Sequence, residues 1–192
     1  MRIQIIAAVA AAFMAAISSA ALAGDAGVVE SVAKLAYGTA PSQTKVEKHA
    51  GDLVQHRELL ETSESGAMKV KFTDGSKLEL GAASKAFVVA YVYQPEQKIA
   101  NAIVSLPEGA MHYMTGAMPN GHTTLYTPTA TMVLSGADVT IGVNERGNTH
   151  LMVDEGSVTV RSRTTGQEMV YNAGESVDVT PAGVTTSTAE LQ

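Results

Sequence analysis

Ala67 to Tyr93 reads AMKVKFTDGSKLELGAASKAFVVAYVY, and its period decides the fold. Met68, Val70 and Phe72 alternate with Lys69 and Lys71; Leu78 and Leu80 alternate with Lys77 and Glu79; Asp74-Gly75 lies between. Successive strand side chains point to opposite faces, so period-two alternation on both sides of a D-G pair is a β-hairpin with one wet face. Phe87 to Tyr93 is almost wholly β-branched or aromatic, which predicts a strand buried on both faces. Tyr91 and Tyr93, two apart, share a face. They read as a buried pair, with anchoring of a partner as the alternative.

Working outward, further short strands are predicted at 102–106, 123–126, 131–134, 139–143, 149–153, 157–161, 168–171 and 176–179. Turn signals separate them: Pro107-Glu108-Gly109, Pro119-Asn120-Gly121, Ser135-Gly136, Glu145 to Asn148, Asp154-Glu155-Gly156, Thr165-Gly166 and Ala173-Gly174. Upstream, Gly27 to Ala40 suits an early strand or a short helix, and Gly38, Pro41 and Ser42 favour the strand. Gln43 to Leu60 is polar, with Gly51-Asp52 as a turn and Leu53-Val54 as a short buried patch. The fold class is all-β, with many short strands in a twisted sandwich or solenoid-like arrangement. Pro181 to Gln192 is polar, rich in Thr and Ser, and reads as a flexible tail.

Met1 to Ala23 reads as a secretory signal peptide: Arg2 is the n-region, an Ala-rich apolar run follows, and Ala21-Leu22-Ala23 is an A-x-A cleavage site. An uncleaved anchor is the alternative. The expected layout is a signal at 1–23, one domain at 24–180 and a tail at 181–192, periplasmic or secreted, with no cytoplasmic domain and no stable membrane insertion after cleavage. The 192 residues carry 13 Lys and Arg against 19 Asp and Glu, a net charge of −6, which argues against phosphate-backbone binding. Hydrophobic residues make up 45%, enough for a sizeable core. Cysteine is absent, which removes disulfides, thiolate metal sites and cysteine nucleophiles together.

Five short pieces, in order, resemble the periplasmic FecR-type domain. They are Gly51-Asp52-Leu53-Val54 with Glu61-Thr62, the Asp74-Gly75-Ser76 hairpin, Thr127-Pro128-Thr129-Ala130, Asp154 to Val160, and Ala173-Gly174-Glu175. Together they cover roughly residues 27–179. An R-G-T usual in that family after the T-P-x-A strand is replaced by Leu134-Ser135-Gly136-Ala137, which keeps only the glycine. The resemblance implies an all-β domain acting by protein–protein contact. In well-known members it senses an outer-membrane transporter, and a separate cytoplasmic segment controls a sigma factor.

No catalytic constellation is legible. His49, His56, His112, His122 and His150 form no i, i+2 or i, i+4 pair and read as scattered surface residues. Ser31-x-x-Lys34 and Ser42-x-x-Lys45 lack S-D-N and K-T-G companions. The expectation is therefore a non-enzymatic exported domain, without cofactor or metal, that recognises another envelope protein or polymer in signalling or organisation. Its contacts are expected at strand edges or at the turn tips Asp74, Gly75, Asp154, Glu155 and Gly156. Two alternatives come from other classes: an envelope carbohydrate hydrolase using a carboxylate pair, and soft-metal (Cu) binding through Met111 to His122.

Overall fold

The structure, a computed structural model, describes residues 25–187. The expected signal segment lies outside the described residues. Among the described residues fifteen strands follow one another: β1 (Asp25–Ala33), β2 (Ala36–Thr39), β3 (Val46–Glu47), β4 (Leu53–Gln55), β5 (Glu58–Thr62), β6 (Ala67–Phe72), β7 (Lys77–Leu80), β8 (Lys85–Gln94), β9 (Ile99–Met114), β10 (Thr123–Tyr126), β11 (Ala130–Val143), β12 (Thr149–Ser162), β13 (Glu168–Asn172), β14 (Ser176–Thr180) and β15 (Gly183–Ser187). A 3-10 turn, Pro95–Gln97, interrupts them. The all-β reading holds, and Gly27 to Ala40 forms two strands, β1 and β2, broken at Lys34 and Leu35, where Lys34 takes a positive φ of 61°.

Three predicted turns are not turns. Pro107 to Gly109, Ser135-Gly136 and Asp154 to Gly156 lie inside strands of 16, 14 and 14 residues. Each is a β-bulge, where one extra residue lets a strand bend without ending. The burial pattern shows the slip. In β9 the buried residues are Ala102, Val104 and Leu106, then Met111 and Tyr113; in β11 they are Ala130, Met132 and Leu134, then Ala137, Val139 and Ile141. In β12 Thr149, Leu151 and Val153 give way to Val158, Val160 and Ser162, and in β8 Ala86 and Val88 give way to Tyr91. Without the extra residue, period two would carry the apolar set to the wet face beyond each bend.

At these bends the long strands exchange partners. The first part of β9 pairs with β8 and, in parallel, with β10, while its last part pairs with β7 and β11. β11 and β12 run alongside each other throughout, and β12 takes β14 before its bulge and β13 after it. Hydrogen bonding thus makes one open mixed sheet. The bends divide it into two halves, β15-β14-β12-β11-β9-β7-β6-β1-β4 and β13-β12-β11-β10-β9-β8-β5-β2-β3. They face each other across the core: the Phe72 ring of the first stacks on the Tyr91 ring of the second, centroids 4.0 Å apart and 7° from parallel. This is the sandwich-like form of the expected class.

Two further expectations are corrected. Phe87 to Tyr93 is fully buried on one face only, at Val88 and Tyr91, because the halves cover one side of each strand. Gly183–Ser187, read as part of a loose tail, pairs along β14. Its Thr-rich composition suits an edge strand, where one backbone side stays wet.

Candidate functional site

The D-G-S hairpin turn is a buried anchor with a small exposed tip. Asp74 is 6% exposed. Its carboxylate accepts from the Ser76 amide at 3.0 Å, the Ser76 hydroxyl at 2.6 Å, the Tyr91 hydroxyl at 2.7 Å and the Met118 amide at 3.2 Å. Since Tyr91 gives its proton to Asp74, Tyr113 is the donor in the 3.1 Å contact between the two phenols. The turn also receives the following loop, through Gly116 N–H to Ser76 Oγ at 2.8 Å and Ala117 N–H to the Asp74 carbonyl at 2.9 Å. Of the five residues expected at turn tips, then, Asp74 lies beneath the surface and Gly75 is the tip above it.

This chain of hydroxyls gives the fold an alkaline limit. Burial, followed by the neighbouring Tyr113, pushes the Tyr91 phenol far above its ordinary value, and burial lifts Tyr113 to about 12. Below pH 10 both phenols are protonated in the folded and the unfolded chain alike. Above it the unfolded chain releases protons that the native one holds, so stability falls by about 1.4 kcal/mol per pH unit for each phenol. Urea midpoints measured from pH 9 to 11.5 are expected to fall along that slope, and Tyr113→Phe to flatten it.

The other three expected residues sit at the β12 bulge. Asp154, Glu155 and Gly156 are all exposed. The structure links them to the Gly75 tip along one strip. Gly156 backs onto Gly136, the Ala137 carbonyl accepts from Thr115 N–H at 3.0 Å and Thr115 Oγ1 at 2.9 Å, and Gly116 packs on Gly75 and Ser76. The strip follows the line where β11 and β12 bend, so its backbone is fixed by packing on both sides.

The Thr-Pro-Thr-Ala segment is also structural. Thr149 Oγ1 donates to Thr127 Oγ1 at 2.6 Å, Thr129 Oγ1 lies 2.8 Å from Thr149 Oγ1 and 3.0 Å from the Val179 carbonyl, and Ala130 N–H donates to Thr127 Oγ1 at 3.0 Å. This buried hydroxyl knot ties the start of β11 to β12 and β14. Met111 and Met118 are core residues, whereas Met114 is exposed, so the segment from Met111 to His122 does not converge on one soft-metal site.

Three surface cavities, of about 390, 300 and 410 Å³, are each lined by no more than one carboxylate. Sequence reading missed one grouping altogether. His112, Asp138 and Asp154 meet on the outer face, with the His112 Nε2 against an Asp138 carboxylate oxygen.

A family model described as FecR protein matches residues 58–159, more than half of the chain, from β5 through most of β12. The chain belongs to the FecR family. The matched span contains the D-G-S turn, the T-P-x-A knot and the E-G bulge, so in this FecR chain the recognisable motifs are devices that shape backbone. Two crystal structures of a candidate anti-sigma factor from Parabacteroides distasonis ATCC 8503, at 1.65 and 2.50 Å, share the fold. Their TM-scores are 0.53 and 0.54 at 17% and 16% identity, over 68% of this chain. The chain spans 59% of the length of that protein. No curated protein matches it.

Proposed function

We propose that this FecR chain is a non-enzymatic exported domain that works by binding another envelope protein in signalling across or within the envelope. The layout is a signal at 1–23 followed by one all-β domain, periplasmic or secreted. Family membership supports the signalling context, as does the likeness in fold to a candidate anti-sigma factor. The observation that carries recognition is the strip itself: Asp154, Glu155 and Gly156 stand exposed on a bend held by packing, beside the Gly75 tip that Asp74 supports. A surface rigid before binding loses little conformational entropy on association. Exposed carboxylates suit a partner patch of opposite sign.

The test is capture from envelope extract on immobilised wild-type chain and on Glu155→Lys. A reproducible envelope protein retained by the wild type and lost with Glu155→Lys, at unchanged urea midpoint, is the expected result. Equal retention by both removes the strip from the reading.

A further inference from the structure

We propose that His112, Asp138 and Asp154 form a site for one divalent transition-metal ion of the zinc class. The inference goes beyond partner recognition and does not rest on it.

The three side chains come from adjacent strands, β9, β11 and β12, and their ligand atoms all lie within 4.8 Å of one another. Strand pairing sets that convergence. His112 is opposite Thr140, Asp138 is opposite Met114 on one side and Glu155 on the other, and the β12 bulge brings Asp154 round to the same face. Asp138 is the floor of the group, its side chain 16% exposed; His112 is half-buried, and Asp154 lies open to solvent. Thr140 Oγ1 donates to Asp154 Oδ2 at 3.3 Å, which orients the outermost carboxylate as a supporting hydrogen bond orients a metal ligand.

Charge is the second observation. Four strand carboxylates, Glu58, Glu61, Glu79 and Glu108, each meet a lysine at 2.6–2.9 Å, and Asp178 meets the His150 imidazole at 2.8 Å, each one anion to one partner. Among the described residues Asp138 has only the imidazole as ion-pair partner, and Asp154 has no cationic one. Even a protonated imidazole sets one positive charge against two carboxylates, one of them well covered. A divalent cation balances the pair where a lysine is lacking.

Donor chemistry selects the ion. One imidazole nitrogen and two carboxylates suit zinc and its neighbours, with three protein ligands leaving a fourth position to water. Calcium and magnesium take oxygen ligands and larger shells than this group supplies.

The test is isothermal titration of the untagged, chelator-stripped chain with zinc sulfate at pH 7.5, with calcium and magnesium chloride as separate arms. One saturable zinc site is expected, with no saturable heat from calcium or magnesium. Asp154→Asn and His112→Gln are each expected to weaken zinc at least tenfold, while His150→Gln binds as wild type. Asp154 is exposed, so its urea midpoint stays unchanged and a lost site is not lost folding. No saturable zinc binding, zinc binding insensitive to Asp154→Asn, or loss with His150→Gln in place of His112→Gln each overturns the assignment.

Discussion

Asp74→Ala is expected to lower the unfolding free energy by about 4 kcal/mol, far beyond the few tenths typical of a surface turn residue. The carboxylate accepts from two groups of Ser76, from Tyr91 and from Met118, all in a region closed to water. Alanine removes one acceptor group and leaves those donors buried and unmatched, and each such donor carries its own desolvation penalty. The damage reaches three places in the sequence: the hairpin, β8 through Tyr91, and the loop at 116–118 that is hung on the turn. Asp74→Asn keeps the shape and one acceptor oxygen but offers an amide where donors converge, so it is expected to cost about half as much. Urea denaturation followed by circular dichroism measures both. A change under 1 kcal/mol for the alanine variant contradicts the anchor role.

Gly156→Ala is the second large effect, at about 3 kcal/mol or more. Gly156 has φ of +73°, and a Cβ there stands 2.2 Å from the Gly136 carbonyl oxygen and 2.8 Å from the Ala137 Cα, both main-chain atoms of the neighbouring strand. Neither can swing away without undoing the β11–β12 ladder. Gly136→Ala makes the comparison sharp. Its φ is +55°, yet the nearest atom to an added Cβ is the Asn120 side-chain oxygen at 3.6 Å. Only the left-handed backbone penalty remains there, about 1 kcal/mol. Thermal or urea unfolding of the two variants is expected to separate them by at least 2 kcal/mol.

The sequence makes plain what depends on period alone. Lys69 and Lys71 against Met68, Val70 and Phe72 define β6, and β10, β13 and β14 lie within a residue of their predicted limits. What it hides is whether a glycine closes a strand or bends it. Gly109, Gly136 and Gly156 permit positive φ in either setting, and only pairing with the next strand distinguishes a turn from a bulge. The same ambiguity hid Asp74. An aspartate in a D-G turn looks wet until Tyr91, 17 residues on, is brought above it. The group of His112, Asp138 and Asp154 had no local signal, because its members meet across strands and not along one. The family pieces read well for a related reason: each solves a backbone problem, so they identify the fold more clearly than they identify a contact surface.

Recognition through the packed bend requires that Asp154 to Gly156 meet the partner directly. A photoreactive amino acid placed at position 155 of the chain in living cells, with position 71, an exposed β6 site, as control, reads that contact. One discrete cross-linked envelope protein is expected from position 155 and none from position 71. Cross-linking that is absent at 155, or the same from both positions, contradicts it.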